Sequence, residues 1–411
     1  MEYGCIGRCL IHSFSPTIHR MIGRYEYESR ELSPEELAAF MAEHDFHGIN
    51  VTIPYKKAVI PYLNELSPRA KSIGAVNTVV NRNGLLYGYN TDFGGMQALL
   101  SKMGVDIRGQ KALILGSGGT SKTALAVLQS SGAGEIFRVS RSGKDSALTY
   151  DQARSLHSDA QIIVNTTPCG MFPDTDKQPI DLTAFPDLRA VVDAIYNPLR
   201  TDLILQAQGM GLAAEGGLYM LVAQAVLAAE LFSEQPLPEC ETQRIYDELL
   251  SQRRNVVLIG MPGCGKTTIG RLLAKELGRN MLDVDELIVQ RAGCPISQIF
   301  ESRGQEYFRR METEIITEIS RKNGLIIASG GGSVLSKENV RRLSQNGRLF
   351  FIDRPPDHLL PTADRPLANN EEKITKLYRE RLPIYLDAAD RVVKADGPPE
   401  AVARYIIRSM L

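Results

Sequence analysis

The chain has 411 residues, which at roughly 100–200 residues per domain predicts two to four domains. Its composition is that of ordinary globular proteins, with 43% hydrophobic and 23% charged residues. The formal net charge of −1 provides no overall field that would recruit nucleic acid or a membrane surface. The most apolar stretch, residues 218–232, is too short to span a bilayer and contains Gln224 and Glu230.

The six cysteines are dispersed along the chain and form no C-x-x-C pair. This argues against a disulfide framework and against a structural zinc site. Residues 1–10 contain Glu2 and Arg8 and no long apolar run, so they do not indicate a signal peptide. We therefore expect reduced thiols and a soluble, cytoplasmic protein that acts on small molecules. Nothing in the sequence excludes a homo-oligomer.

Strand-length apolar runs alternate with helix-length amphipathic segments along the whole chain. This pattern predicts an α/β fold with parallel sheets. In one unit, a strand at 111–115 precedes a glycine-rich turn and a helix at 120–130. In another, a strand at 255–259 precedes a second glycine-rich turn and a helix at 267–277. Two such strand–turn–helix units indicate two nucleotide sites.

The polar segment 239–252 separates the two units. It follows Pro236 and Pro238, which end the preceding helix, and it has the character of a short terminal helix. The next strand begins directly after it. We therefore predict one domain over residues 1–252 and a second over residues 253–411.

The first glycine-rich turn is a candidate pyrophosphate site at the start of a helix. Its residues are Gly116, Ser117, Gly118, Gly119 and Thr120. Ser121 occupies the third glycine position of G-x-G-x-x-G, so an ordinary structural turn explains this segment equally well.

The strand after this turn, 135–139, ends in basic and hydroxyl residues rather than in the acidic residue of NAD sites. They are Ser140, Arg141 and Ser142, with Lys144 nearby. A cation here suits a ribose 2′-phosphate, so NADP is favoured over NAD. The alternative is a solvated arginine in a loop.

Four segments before the turn are rich in hydroxyl and amide side chains. They are residues 12–19, 48–56, 74–78 and 88–95. They also contain Lys56 and Asp92. A polyhydroxylated carboxylate substrate would need such donors and acceptors.

Together with segments 165–171, 193–198 and 216–224, these motifs resemble the shikimate dehydrogenase family over the first predicted domain. The resemblance implies a substrate subdomain over residues 1–100 and 218–252, beside a Rossmann-like NADP-binding subdomain over residues 101–217. It implies substrate contacts at Ser13, Ser15, Thr52, Lys56, Asn77, Asp92, Tyr196 and Gln224, and nicotinamide-side contacts at Ile195 and Gly217.

The same resemblance implies that Lys56 and Asp92 are the catalytic pair for NADPH-dependent reduction of 3-dehydroshikimate to shikimate. Lys56 can give a proton to the carbonyl oxygen, and Asp92 can orient a substrate hydroxyl. Taken alone, Lys56 could be a surface charge and Asp92 a helix N-cap before Phe93. A dehydrogenase of the related quinate/shikimate type remains an alternative.

The second glycine-rich turn, 260–267, matches the P-loop pattern G-x-x-x-x-G-K-[ST]. Backbone amides would surround the phosphates, Lys266 would reach the β- and γ-oxygens, and Thr267 would bind Mg²⁺. The predicted ATP contacts are Gly263, Cys264, Gly265, Lys266, Thr267 and Thr268.

The rest of the chain resembles the shikimate kinase family, through segments 282–285, 300–309, 329–333, 364–367 and 381–385. The resemblance implies a kinase of nucleoside-monophosphate-kinase type, with a five-stranded parallel sheet and a lid. It implies shikimate contacts at Asp285, Arg309, Gly331 and Arg381, with Asp285 catalytic together with Lys266. Asp283 would support Mg²⁺ and Arg365 would lie across ATP from the lid. Taken alone, Asp283 could cap a helix, and Arg309 could belong to a solvated helical face.

Together the motifs predict a bifunctional enzyme of aromatic amino acid biosynthesis. The first half would make shikimate, and the second would phosphorylate it to shikimate 3-phosphate. Two other classes are a half that has become a non-catalytic ligand-binding regulator and a P-loop switch that binds partners. The presence of Lys56, Asp92, Lys266 and Asp285 argues for catalysis in both halves.

Overall fold

The computed structural model describes residues 1–10, 13–144, 146–359 and 371–410. The chain forms two compact units, Met1–Leu249 and Leu250–Leu411. The division falls inside helix α9 (Glu241–Arg253), which also contains the boundary predicted after residue 252.

The first sheet of the first unit has six strands in the order β2-β1-β3-β5-β6-β4. They are β1 (Tyr3–Gly7), β2 (Glu28–Glu31), β3 (Gly48–Val51), β4 (Glu65–Leu66), β5 (Thr78–Arg82) and β6 (Leu85–Tyr89). Strands β1, β2 and β3 are parallel, whereas β5 runs antiparallel to β3 and β6. The accompanying helices are α1 (Ser15–Ile22), α2 (Pro34–Glu43), α3 (Pro68–Ile73) and α4 (Thr91–Met103).

The second sheet of this unit has five parallel strands in the order β11-β10-β9-β7-β8. They are β7 (Lys111–Leu115), β8 (Glu135–Val139), β9 (Ile162–Asn165), β10 (Ala190–Asp193) and β11 (Ala213–Glu215). The predicted strands 111–115 and 135–139 are confirmed. On β7, Leu113 packs into one core cluster and Ile114 into another, because a parallel sheet is covered on both faces.

Four helices complete the first unit before α9. They are α5 (Gly119–Ser130), α6 (Tyr150–Leu156), α7 (Asp202–Gly209) and α8 (Leu218–Ser233). The largely buried α8 packs along α4, which brings Gln224 close to the first turn of α4. Within the described ranges, no helix has both the length and the apolar character needed to cross a bilayer.

The second unit has one sheet of five parallel strands, as predicted, and their order is β13-β14-β12-β15-β16. They are β12 (Asn255–Ile259), β13 (Met281–Asp283), β14 (Ile326–Ala328), β15 (Gly347–Asp353) and β16 (Arg391–Lys394). Its helices are α10 (Lys266–Leu277), α11 (Val284–Ala292), α12 (Ile296–Ser320), α13 (Lys337–Asn346), α14 (Glu371–Ala388) and α15 (Pro399–Arg408). Helix α12 is interrupted at Gly304, where φ is +80°.

Candidate active sites

The first site is centred on an ion pair between Lys56 and Asp92. Lys56 lies in the turns that follow β3, and Asp92 lies in the first turn of α4. The Lys56 Nζ is 2.6 Å from Asp92 Oδ2. The lysine side chain is 21% exposed and the aspartate side chain 12%, so the pair is largely shielded but can be reached from solvent.

The start of α4 explains why Asp92 is available for this pair. The N-cap of the helix is Asn90, whose side-chain oxygen accepts a hydrogen bond from the Phe93 N–H at 3.1 Å. The alternative that Asp92 is itself the N-cap is therefore wrong. Because Asn90 satisfies the helix terminus, both carboxylate oxygens of Asp92 face side chains instead.

Asn77 joins the ion pair to a buried network of amides and hydroxyls. Its Nδ2 lies 3.0 Å from Asp92 Oδ1, 3.0 Å from Thr91 Oγ1 and 3.3 Å from Gln224 Oε1. Its Oδ1 accepts a hydrogen bond from the Thr91 N–H at 2.7 Å. Thr78, whose hydroxyl is 3.2 Å from that of Thr91, extends the network. The sequence prediction included Asn77 and Gln224 but not Thr91 or Thr78.

The predicted carboxylate-binding serines lie at the start of α1. Ser15 is the first residue of the helix, and its N–H donates to Ser13 Oγ at 3.3 Å. Between them, the ring of Phe14 packs against Tyr196 with centroids 5.1 Å apart. Burial raises the pKa of Tyr196, so its hydroxyl stays protonated. Thr52 directly follows β3, and its N–H donates to Ile6 O at 3.0 Å.

The turn between β7 and α5 has the properties of an anion site. Gly118 is the N-cap of α5 and provides no side-chain cap, so the first backbone N–H groups of the helix remain available to donate to an anion. A Cβ added at Gly118 or Gly119 would meet nothing within 4 Å, which leaves room for a pyrophosphate. Gly116 has φ of +116° and packs closely on Thr166. The residues present therefore fit a dinucleotide.

The proposed 2′-phosphate residues lie in the turn after β8. The hydroxyl of Ser140 accepts a hydrogen bond from the Gly143 N–H at 3.1 Å, which shapes the turn. Arg141, Ser142 and Lys144 are exposed at its outer side. An exposed cationic turn at the end of β8 suits a phosphate that arrives with the cofactor.

The backbone around Ile195 and Gly217, the predicted nicotinamide-side residues, is organised by Asp193, which the sequence prediction did not single out. Its Oδ1 accepts hydrogen bonds from Asn165 Nδ2 and from the Ile195 N–H, each at 3.0 Å. Its Oδ2 accepts one from the Thr201 hydroxyl at 2.7 Å. The Gly217 N–H in turn donates to Ile195 O at 2.8 Å. Burial raises the pKa of Asp193 to about 6.

In the second unit, the P-loop connects β12 to α10. Lys266 is buried, and its Nζ donates to Gly260 O at 2.9 Å and Met261 O at 3.0 Å. The N-cap of α10 is Gly265, which has φ of +98° and no side-chain cap. Its free helix amides and the lysine fit the phosphates of a nucleotide. Cys264 is buried in the loop.

Gly263 and Thr268, the remaining predicted ATP contacts, are exposed around the loop. Beside them, Thr267 and Asp283 meet at the end of β13. The Thr267 hydroxyl donates to Asp283 Oδ2 at 2.7 Å. The other oxygen of Asp283 accepts from the Asp285 N–H at 3.0 Å, so Asp283 also caps α11. The helix-cap alternative is correct in this respect. It does not compete with Mg²⁺ support, since hydroxyl and carboxylate oxygens are the ligands that Mg²⁺ prefers.

The expected shikimate-binding residues converge on the glycines after β14. A Cβ at Gly330 would lie 2.9 Å from Asp285 Oδ1, and one at Gly332 would collide with the Arg309 guanidinium. From α14, Arg381 Nη1 donates to Gly331 O at 2.9 Å. Asp285, Arg309 and Arg381 therefore surround one glycine segment, although they come from three different helices.

Arg309 is held by a carboxylate that the sequence prediction missed. Its Nη1 is 2.7 Å from Glu312 Oε2, and Glu312 is 1% exposed. The Ser333 hydroxyl donates to the other oxygen of Glu312 at 2.7 Å. The alternative of a solvated helical face is therefore wrong for Arg309. The i, i+3 spacing of Arg309 and Glu312 was the available signal. Arg365, the predicted lid residue, lies outside the described residues.

Comparison with known proteins identifies the families that the two parts of the chain resemble. Residues 5–79 match the model of the shikimate dehydrogenase substrate binding domain, and residues 262–411 match that of shikimate kinase. A shikimate dehydrogenase (NADP(+)) of Clostridium perfringens strain SM101 is 36% identical over 265 residues, which covers 60% of this chain and 97% of the relative.

Two solved structures are similar over the same part of the chain. Shikimate dehydrogenase 1 from Peptoclostridium difficile is 34% identical, with a TM-score of 0.57, and the match covers 61% of this chain and 98% of that one. Shikimate 5-dehydrogenase from Thermus thermophilus, in complex with NADP(H) and shikimate, is 30% identical with a TM-score of 0.55. That match covers 60% of this chain and 99% of that one.

Proposed function

This chain belongs to the shikimate dehydrogenase family and carries a shikimate kinase domain, and on that premise we propose how its residues carry out the two reactions. It is a bifunctional enzyme, an NADP-dependent oxidoreductase joined to an ATP- and Mg²⁺-dependent phosphotransferase. In the order of the pathway, the first unit reduces 3-dehydroshikimate to shikimate, and the second converts shikimate to shikimate 3-phosphate.

The 2.6 Å contact between Lys56 and Asp92 carries the proposal for the first unit. NADPH supplies the hydride to the substrate carbonyl carbon. Lys56 gives a proton to the carbonyl oxygen and stabilises the negative charge that develops on it. Asp92 holds a substrate hydroxyl and balances the charge of the lysine. Asn77 donates to the carboxylate of Asp92, and Gln224 holds Asn77 in turn, so the pair is positioned before substrate binds.

The remaining contacts of the first unit follow from their placement. Ser13 and Ser15 would take the substrate carboxylate, because hydroxyl groups beside a helix start suit an anion. Thr52 and Tyr196 would contact the substrate hydroxyls and ring. The backbone near Ile195 and Gly217, fixed by Asp193, would form the nicotinamide side.

The convergence of Asp285, Arg309 and Arg381 on residues 330–332 carries the proposal for the second unit. ATP supplies the phosphoryl group. The two guanidinium groups bind the shikimate carboxylate, since planar forks match its two oxygens. Asp285 then accepts the proton of the attacking hydroxyl, while Lys266 stabilises phosphate charge. Thr267 and Asp283 would hold Mg²⁺, which would neutralise further phosphate charge.

We assign the cofactor preference of the first unit from Arg141, and its substrate preference from the kinase in the second unit. An arginine after β8 suits a 2′-phosphate, and the second unit consumes shikimate. A quinate dehydrogenase from Corynebacterium glutamicum in complex with NAD is less similar, at 25% identity, than the shikimate dehydrogenases described above. We therefore assign NADP and shikimate over NAD and quinate. Both nucleotides are metabolites of the cytoplasm, where we infer that the enzyme works on these small molecules.

One set of assays of the full chain tests the proposal. Reduction of NADP⁺ by shikimate should proceed, and NAD⁺ or quinate should give much lower kcat/KM. Comparable rates with NAD⁺ or quinate would reassign the first unit to the quinate/shikimate class. No reduction at all would favour the ligand-binding regulator. Shikimate-dependent formation of ADP tests the second unit in the same preparation.

Two variants then separate the residue assignments, and each has the other activity of the chain as its internal control. Lys56→Met should lower dehydrogenase kcat by about 10²- to 10⁴-fold and leave kinase turnover unchanged. Asp285→Asn should lower kinase kcat by a similar factor and leave dehydrogenase turnover unchanged. Lys71→Met, at an exposed lysine on α3, is the matched control for lysine replacement. Equal losses in both activities of a variant would point to unfolding rather than to catalysis.

A further inference from the structure

Arg354 stands next to the P-loop although no motif marks it. It directly follows β15, which pairs in parallel with β12, the strand that leads into the P-loop. Parallel neighbours end at the same edge of a sheet, so the residue after β15 lies beside the loop after β12. The Arg354 Nη1 lies 4.0 Å from the position that a Cβ would take at Gly265.

The guanidinium of Arg354 has a buried donor that the described residues leave unused. Its Nε is buried and has no hydrogen-bond partner within residues 1–10, 13–144, 146–359 and 371–410. Leaving a buried donor without an acceptor is unfavourable. The adjacent carboxylate of Asp353 is already engaged, since it accepts from Lys394 Nζ at 2.5 Å and from the Tyr378 hydroxyl at 2.7 Å. The other cations of the site differ, because Arg309 and Arg381 have protein acceptors.

The surroundings of Arg354 are positively charged and suit an anion. The N-terminus of α10 carries a partial positive charge, and Gly265 provides no side chain to cap it. Lys266, the first residue of the helix, adds a full positive charge that donates to two backbone carbonyls and to the Cys264 sulfur. A third cation beside them is repelled. Phosphate oxygens between these groups would remove the repulsion and satisfy the free guanidinium donor.

We propose that Arg354 is a phosphate ligand for the nucleotide held by the P-loop. Its planar guanidinium would donate to phosphate oxygens of ATP and ADP, a task for which arginine is better suited than lysine. The inference rests on the proposed kinase function of the second unit. It adds a binding residue that lies at the end of β15, outside the P-loop and outside the lid.

Binding of ADP, AMP and adenosine to the full-length protein tests this inference. Isothermal titration calorimetry would compare the wild type with two variants. Arg354→Gln loses the positive charge, and Arg354→Lys keeps the charge but loses the planar guanidinium with its paired donors. Arg391→Gln, at an exposed arginine on the neighbouring β16, is the matched control. We expect Arg354→Gln to weaken ADP binding by about 10-fold or more, as for hydrogen bonds to charged groups. Arg354→Lys should be intermediate, and Arg391→Gln unchanged.

Two further readouts distinguish phosphate binding from a structural role. Adenosine affinity should be the same in all variants, and an equal loss for adenosine and ADP would overturn the assignment to phosphate. The nucleotide-free Arg354→Gln protein should unfold at the same or a higher temperature, because a repelled charge has been removed. A lower unfolding temperature with unchanged ADP affinity would make Arg354 structural. If the wild type binds ADP but does not phosphorylate shikimate, the proposed function fails while the Arg354 comparison still stands.

Discussion

His19 predicts a specific loss of stability in acid. Its side chain is fully buried, and its ring stacks on Tyr27 with centroids 3.8 Å apart. Its Nδ1 is 2.8 Å from the Tyr25 hydroxyl, whereas its buried Nε2 has no hydrogen-bond partner among the described residues. Burial lowers the pKa of His19 from 6.5 to about 3, and the nearby Asn50 side chain offsets this only in part. The imidazole is therefore neutral in the folded protein.

The sign of the effect follows from the two pKa values. Between pH 6.5 and 3, unfolded His19 binds a proton that folded His19 does not. The free energy of unfolding therefore falls as the pH falls, by about 1.4 kcal/mol per pH unit. The loss is about 1 kcal/mol at pH 5.5 and about 3 kcal/mol at pH 4.5. A domain of ordinary stability loses a large fraction of its total in this way.

Replacement of His19 by phenylalanine isolates this contribution. Phenylalanine keeps a ring against Tyr27 but cannot be protonated, and the lost contact with Tyr25 has a cost that does not depend on pH. Urea unfolding of both full-length proteins would be followed by circular dichroism from pH 8 to pH 4.5. Added NADP⁺ identifies the transition of the first unit, because a ligand of the folded state moves it to higher urea.

The difference between the two proteins cancels the contribution of every other titrating group. We expect His19→Phe to gain about 3 kcal/mol relative to the wild type between pH 7.5 and pH 4.5. A difference that stays constant over this range would mean that folded His19 takes up its proton as easily as the unfolded chain. The argument from burial would then be wrong.

Two other predictions use Asp193 and Gly332. Burial raises the pKa of Asp193 from 3.8 to about 6, so the folded protein binds this proton more tightly than the unfolded chain. In urea titrations, the free energy of unfolding of the wild type should therefore fall by about 3 kcal/mol relative to that of Asp193→Asn as the pH rises through this range. A difference in the free energy of unfolding that does not change with pH would contradict the raised pKa of Asp193. Gly332→Ala would push a Cβ into the Arg309 guanidinium and should raise the KM of the kinase for shikimate without changing dehydrogenase kcat. Gly397→Ala, where a Cβ meets nothing within 4 Å, is its control and should leave both activities as they are.

Local sequence was sufficient to predict the strand–turn–helix units. The strands 111–115 and 255–259 and the helices that follow them occur as β7, β12, α5 and α10. Each unit depends on residues that are neighbours in sequence: an apolar run, glycines that adopt positive φ, and a helix start. The five-stranded parallel sheet of the second unit was implied by the resemblance to shikimate kinases and not by these local patterns, and it is confirmed.

The residues that support the sites could not be predicted in the same way. Asp193 fixes Asn165, which lies 28 residues before it in the sequence, and Glu312 meets Ser333 only because α12 packs near the loop after β14. Such partners depend on tertiary packing, which periodicity does not encode. Asn90 shows the same limit at short range, since the sequence suggested Asp92 as a possible cap of α4, whereas Asn90 accepts the capping hydrogen bond from the Phe93 N–H.

The two buried titratable groups of the first unit act in opposite directions. Between pH 3.8 and 6, unfolding makes His19 take up a proton and makes Asp193 release one. Their contributions to the pH dependence of stability therefore cancel over this range. The groups share no hydrogen-bond partner, so their effects should add. Each single variant should therefore depart from the wild-type pH slope in the opposite direction, and the double variant His19→Phe/Asp193→Asn should regain it. A double variant that keeps the slope of either single variant would show that only one of the two pKa values is perturbed.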